Sequence, residues 1–475
     1  MTSVSLAVPG VGRVGLHVAE RADAQQLDAM ASLADPVRIR PVQAPRQRWR
    51  NWAGDQIWAP VRTARPESEA ELAEVVAAAA ADGLEVHAVG SGHSFTDCAT
   101  STGLTVDTTG LRRVLSVDHA RGQITVEAGI KLYELGPALA ANGLALENQG
   151  DIDRQSIAGA ISTATHGTGL AFANLSSQVV GMRLVTADGE VHELSREQDP
   201  EAFLAARVSI GALGVISALT LQCVPLYTLR RQDSCRPLDE TLTRLDELAE
   251  THDHFEFYVF PYTRRAGVRE SRRLDADPQP SPRWQRIVQE GGVENVALMA
   301  LAGTGKRIPR LVPALNRTLV SLLRENLTED RAYRVYASLR RVRFNEMEYG
   351  LPRAAMAEAI PRVLEFAERR RLPILFPLEI RFAAGDDAFL STAYGRETGY
   401  LAVHQYRGME FETYFRGVEA IMDEYDGRPH WGKRHYQTAA TLAERYPEWH
   451  RFTAVRDRLD PQRTFANDYT RRVLG

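Results

Sequence analysis

Apolar and polar positions follow two rhythms along this chain, one helical and one alternating. Ser68 to Ala81 keeps the helical one: Ser68 and Glu71 make a capping box, alanine and valine fill the body, and Gly83 ends it. Leu132 to Ala141, closed by Gly143, reads as a second helix. Glu85 to Val89, Leu104 to Asp107 and Gln123 to Glu127 read as strands. Val179 to Thr186 and Val191 to Leu194 flank Ala187-Asp188-Gly189-Glu190, a hairpin signal, and Ile216 to Val224 is an apolar strand of the buried kind. Residues 46 to about 227 therefore mix strands and helices as an α+β domain does.

Around Leu226 to Asp239 the character changes. Phe255 to Phe260 alternates like a sheet strand, while Arg264 to Arg283 is polar, carries prolines toward its end and reads as an exposed loop. Leu311 to Glu325 is helical, Arg341 to Tyr349 alternates, and Ala354 to Arg370 is helical with a break expected at Pro361. Leu375 to Phe382 and Tyr400 to Tyr406 read as strands. The pattern predicts a second α+β domain, a sheet with covering helices. Residues 1 to 45 lack clean periodicity. Their one helix candidate is Ala22 to Leu33, and they read as a partly disordered or loosely attached extension.

At 475 residues the chain has room for two or three domains, and 44% hydrophobic with 25% charged residues is ordinary for a globular protein. A net charge of -4 with no basic stripe among aromatics speaks against nucleic-acid binding. No apolar run reaches the roughly 18 residues of a membrane span. The start of the chain lacks a basic region followed by an apolar core, so no secretory signal is expected. Cys98, Cys223 and Cys235 are too few and too scattered for a disulfide framework or a zinc set, which fits a reducing cytoplasm. Peripheral association with a membrane stays open. Of 57 lysines and arginines only Lys131, Lys306 and Lys433 are lysines, so each marks a place where a compact ammonium is kept.

Four segments carry candidate chemistry. In Val89-Gly90-Ser91-Gly92-His93-Ser94 two glycines bracket a serine, so backbone comes close to a ligand and offers bare N–H groups, as a pyrophosphate requires. His93 follows at once, where it could serve as a covalent tether or a proton-transfer group. A plain turn is the competing reading, and the third glycine of a Rossmann fingerprint is missing. The second segment runs through Gly150 and Asp151, Ala158 and Gly159, and then Thr163, Thr165, His166 and Gly169. It is small and polar, with few side chains to build a core, and suits a flat ligand or a surface loop. The third is Leu378 to Phe382, where Glu379 and Arg381 share one strand face, either as a structural ion pair or as a guanidinium presented to substrate. The fourth is His430-Trp431-Gly432-Lys433, a basic pair beside a glycine that could place a cation near a bound ligand or lie in a surface loop. Two decoys stand apart. Gly303-Thr304-Gly305-Lys306 lacks the first glycine and the Ser/Thr of a phosphate loop, and His252-Asp253-His254 reads as solvated surface.

Together with Leu146 to Asp151, Gly211 to Ile216 and Glu346-Met347-Glu348-Tyr349, these segments resemble the vanillyl-alcohol-oxidase-type flavoproteins. Within them the chain looks most like the sugar-1,4-lactone oxidoreductases, including actinobacterial L-gulono-1,4-lactone dehydrogenases and D-arabinono-1,4-lactone oxidases. The resemblance runs from about Trp49 onward. It implies a two-subdomain, PCMH-type FAD-binding domain over 46–227 and an α+β cap domain with an antiparallel sheet over 228–435. A segment, 436–475, would then return toward the flavin domain. It implies FAD held by Val89 to Ser94, by Gly150, Asp151, Ala158, Gly159, Thr163, Thr165, His166, Gly169 and Ile216, and by His430 and Lys433. It implies an 8α bond to His93, although relatives with leucine there hold FAD non-covalently.

The same resemblance implies that residue size near Ala158 and Gly159 controls oxygen access. Glu379, Arg381 and Lys433 would carry the catalysis. The implied reaction oxidises the C2 hydroxyl of a sugar lactone by hydride transfer to flavin N5. Electrons then pass to a cytochrome or quinone-like carrier rather than to oxygen. The alternatives are an alditol or sugar oxidase that makes peroxide, and a catalytically silent flavin-binding protein.

Overall fold

The computed structural model describes residues 48–279, 301–338 and 342–475, and before them the backbone of strands Val4–Val8 and Gly12–Leu16. Two compact units result, Met1–Arg46 and Gln47–Gly475. In the first, the two strands pair antiparallel, Val4 opposite Leu16. No element was expected there, although Val4, Leu6 and Val8 already alternate. The helix candidate Ala22 to Leu33 lies outside the described residues.

In the second unit the run after Ser68 is helix Glu69–Ala81. The Ser68 hydroxyl accepts from the Glu71 N–H, and the Glu71 carboxylate reaches back to the Glu67 N–H rather than to Ser68. Leu72, Val76 and Ala79 of this helix are buried in one core with Val86, Leu104 and Val106. Those three belong to a parallel three-stranded sheet in the order Arg62–Ala64, Leu104–Asp107, Val86–Val89. A five-stranded antiparallel sheet follows, in the order Val191–Ser195, Val179–Val185, Val215–Gln222, Gln123–Glu127, Val114–Asp118. Its core also takes in Phe452 and Val455 of helix Trp449–Leu459.

The third sheet has eight antiparallel strands, in the order Asn326–Arg331, Thr228–Pro237, Arg265–Leu274, His254–Val259, Leu378–Ala383, Thr398–Tyr406, Phe344–Pro352, Arg428–Pro429. Helices Met356–Arg369 and Glu412–Asp423 share its core. The architecture is α+β, as the two rhythms imply.

Three local expectations are corrected. Residues 265–274 form a strand inside the eight-stranded sheet rather than a loop. Ala266, Val268 and Glu270 are buried on alternate positions, while Arg265 and Arg272 stand exposed. Helix Met356–Arg369 runs through Pro361 without a break. His254 is a core residue rather than solvated surface: Nδ1 meets the Thr168 carbonyl at 2.7 Å and Nε2 the Tyr336 hydroxyl at 2.9 Å. The Gly303 to Lys306 decoy lies in a helical stretch over 301–307. Among the described residues no helix is long and apolar enough to cross a membrane.

Candidate functional site

The parallel strand Val86–Val89 ends at the glycine loop, which curls over a cleft of about 1020 Å³. Gly92 has φ +65°, and a Cβ on Gly90 would lie 1.9 Å from the Ser156 hydroxyl, so neither position takes a side chain easily. Among the described residues the backbone N–H groups of Ser91, Gly92, His93 and Ser94 have no protein acceptor. Consecutive free N–H groups in a tight loop form an anion-binding nest. The facing wall is the short helix Ile157–Ser162. Ala158 and Gly159 line the cleft, while Ile157, Ala160 and Ile161 bury themselves in the core, so this segment is less free of core-building side chains than its composition suggests. Thr163 and Ile216 complete the predicted set on this cleft.

A second cleft, of about 880 Å³, shares His93, Ser94, Gln155 and Thr163 with the first. Gly150, Asp151, Thr165, His166, Arg381, His430 and Lys433, all candidates from the sequence, line it. Two predicted residues do not. Gly169 sits behind, its N–H bonded to the Phe382 carbonyl. Glu379 shares a strand face with Arg381, but its carboxylate is turned to the guanidinium and to the Tyr258 hydroxyl, which donates at 3.0 Å. The i, i+2 spacing fixes a common face but not which of the two side chains reaches the opening.

The second cleft is walled by charge. The Lys433 ammonium contacts the Glu346 carboxylate, which also faces His404 Nε2 at 3.3 Å. Burial opposes ionisation of Glu346, yet Lys433 and His404 outweigh it and hold the carboxyl down to about 2. Burial likewise disfavours the charged His404, and Glu346 and Glu379 overcome it and push its pKa up. His166 stacks on Tyr400 with ring centroids 3.5 Å apart, and its Nε2 lies 3.2 Å from Glu348. Burial lowers His430 to about 3, so its ring is neutral, and its Nδ1 accepts the Gly432 N–H at 3.1 Å.

Arg381 lines the cleft and is also held from behind. Its Nε donates to Glu256 at 2.8 Å, and Asp151 and Glu379 contact the far end of the guanidinium. The ion pair of the sequence reading is therefore present, and the same side chain also lines the cleft.

Glu346, Glu348, His404 and Glu256 had no assigned role in the sequence. The first two carry the same signal as Glu379 and Arg381, charges two apart in an alternating strand, and that signal could have found them.

His93 stands where the clefts meet, its ring stacked on Trp52 at 5.8 Å. Burial, and then the nearby Lys131, Lys433 and Arg154 charges, lower its pKa to about 4.

Two family models match the chain: D-arabinono-1,4-lactone oxidase over residues 219–473 and FAD binding domain over residues 60–195. The chain is 60% identical over 427 residues to an L-gulono-1,4-lactone dehydrogenase of Mycobacterium tuberculosis, covering 90% of this chain and 99% of that protein. It is 33% identical to the L-gulonolactone oxidase of Mus musculus, covering 90% and 98%. Among solved structures, cholesterol oxidase from Brevibacterium sterolicum superposes with a TM-score of 0.78 at 17% identity, over 92% of this chain and 99% of that one. At that identity the likeness is one of fold.

Proposed function

Because the chain belongs to the D-arabinono-1,4-lactone oxidase family, we propose that it oxidises the C2 hydroxyl of an aldonolactone with FAD as cofactor. The substrate in this reading is L-gulono-1,4-lactone or a close relative such as D-arabinono-1,4-lactone, and the products are of the ascorbate type. The observation that carries it is the junction of the two clefts. A nest of free N–H groups fits the FAD pyrophosphate, and the neighbouring cleft presents Arg381 and Lys433 at the far side of His93. The division into an FAD-binding domain to about 227, a cap to about 435 and a returning segment is part of this proposal.

When bound, FAD supplies the hydride acceptor that no side chain can provide. The chain must orient the lactone, give its C2 hydroxyl proton a base, a role open to the cleft-lining carboxylates Glu346 and Glu348, and stabilise the C2 oxygen as the C–O bond gains double-bond character. Arg381 and Lys433 donate to that oxygen and to the neighbouring carbonyl. Glu379 acts from behind, fixing the guanidinium plane together with Glu256 and Asp151. Because each cation already has its carboxylate, the donors are in place before substrate arrives.

His93 would hold FAD through an 8α bond in this proposal: its neutral imidazole keeps the lone pair the bond needs, the C8α hydrogen would leave as a proton, and the flavin ring would take the electron pair and pass it on to the electron acceptor. Acid-precipitated protein then stays yellow, and a colourless pellet removes the link while leaving the FAD reading intact. Electrons pass to a cytochrome or quinone-like carrier. The dehydrogenase relative and the Ala158 methyl on the wall of the first cleft support this.

The deciding experiment is an anaerobic screen of aldonolactones and alditols with the flavin spectrum recorded. Bleaching by lactones is expected. Bleaching by alditols alone, with peroxide formed in air, would make it an alditol oxidase. No bleaching by any of them would leave a silent flavin-binding protein.

A further inference from the structure

Lys131 is the sequence-marked lysine that the reaction does not use. Lys433 stands in the second cleft, and Lys306 is exposed, with its ammonium on the Arg407 carbonyl. Lys131 is held by backbone at the edge of the first cleft. It bridges Ser156 in a single β-bridge, and the N–H groups of Leu132 and Tyr133 bond the Gln155 and Asp153 carbonyls at 3.0 and 2.9 Å. Its side chain then crosses to the opposite wall, where Nζ donates to the Ser91 hydroxyl at 2.7 Å. That hydroxyl donates in turn to the Arg154 carbonyl. One ammonium thus ties the glycine loop to the segment 153–156. A compact ammonium reaches a single hydroxyl in a half-buried slot, whereas a planar guanidinium demands a wider one.

We propose that Lys131 is a positioning residue for the cofactor, fixing Ser91 so that the N–H groups of Ser91 to Ser94 converge on the pyrophosphate, and adding its own charge beside them. The inference rests on the FAD reading. It assigns Lys131 to cofactor affinity rather than to lactone oxidation.

The test uses the full chain carrying His93→Ala, so that FAD binds reversibly. FAD is titrated into this apoprotein with and without Lys131→Met, followed by flavin fluorescence, at low and high salt. Loss of a charge-assisted contact predicts a dissociation constant about ten- to a hundredfold higher for Lys131→Met. It also predicts a shallower salt dependence, with the melting temperature of the FAD-free protein unchanged. Lys131→Arg restores the salt dependence but only part of the affinity. An unchanged dissociation constant, or a loss of affinity with the salt dependence intact and a lower apoprotein melting temperature, would overturn the inference. Should neither the His93→Ala parent nor the chain with His93 in place carry FAD at any concentration, the cofactor reading falls and this inference with it.

Discussion

The first cleft is walled by backbone and small side chains from two stretches of chain, 87–100 and 155–163, with a few residues from elsewhere. The second is walled by Asp151, His166, Glu346, Glu348, Arg381 and Lys433, drawn from positions nearly 300 apart. The difference is one of physics as well as of ancestry along the chain. Peptide N–H dipoles carry no net charge and do not titrate, so a nest for an anion needs no counter-ions. A wall of cations must bring its own carboxylates into the same buried space, because an unpaired buried charge is costly. Lys433 with Glu346, and Arg381 among Glu256, Asp151 and Glu379, are that arrangement. The first cleft is therefore tuned by shape, and the second by a balance of charges that one substitution can upset.

Arg381→Ala upsets it most. Lactone-driven flavin reduction should slow by about a hundredfold or more, since the lost donor acts where charge develops. Three carboxylates left without their guanidinium should also destabilise the fold, by about 3–5 kcal/mol as for a broken buried pair. Arg381→Met combined with Glu256→Gln should regain melting temperature but not rate, which separates the two roles. A single variant that reduces within a few-fold of the parent would take Arg381 out of the chemistry.

Lys433→Met should slow reduction by about ten- to a hundredfold while leaving FAD content unchanged. It frees Glu346 from the cation that holds its carboxyl down, so the pH profile of reduction should gain an acid limb. A parent-like profile would deny the pairing a functional role.

Acid acts on both clefts, by a smaller margin. His87 of the first cleft and His93, which the two share, are each lowered to about 4 by burial, and His430 of the second to about 3. Between pH 6.5 and 4 the unfolded chain binds protons there that the folded chain does not, so stability falls as pH drops through that window. Glu346 and Glu256 are held near 2, Glu346 by Lys433 and His404 and Glu256 by Arg381 and Arg269, each against burial. Their contribution is fully present above about 4.5 and is lost only as pH falls toward 2. Melting temperature should decline from about pH 6.5 downward, and a flat curve to pH 4.5 would contradict the neutral histidines.

The smallest effect belongs to Ala158→Gly. Removing one methyl from the first cleft should speed reoxidation by air several-fold and leave reduction by lactone unaltered. Equal rates of air and dye reoxidation in the parent would mark an oxidase instead.

The same contrast explains what could be read from sequence. Gly90 and Gly92 state local requirements, so the nest was legible as a string of residues, while the helix Ile157–Ser162 that faces it was not read from the sequence. The charge pairs are set by register across the eight-stranded sheet, where Glu346 lies opposite His404 and Tyr258 opposite Glu379. Alternation tells which face a residue takes but not which strand lies beside it. For that reason Glu346 and His404 went unassigned, and the shared face of Glu379 and Arg381 did not tell which of them reaches the opening. Residues 265–274 were misread for a related reason: arginines at 265, 269, 272 and 273 hide an alternation carried by Ala266, Val268 and a buried glutamate.

The Asn467 side-chain amide donates to the carbonyls of Asp97, Cys98 and Thr100, just beyond the glycine loop. The Val86 N–H bonds the Thr464 carbonyl, and the Phe95 N–H bonds that of Gly432. The loop proposed to receive the cofactor is thus latched by residues translated more than 330 positions after it. A chain that has made the glycine loop still lacks these contacts until residues 432 to 467 have been made and folded back onto it. Stable flavin uptake in the proposed reading is therefore expected only once that distant segment has docked.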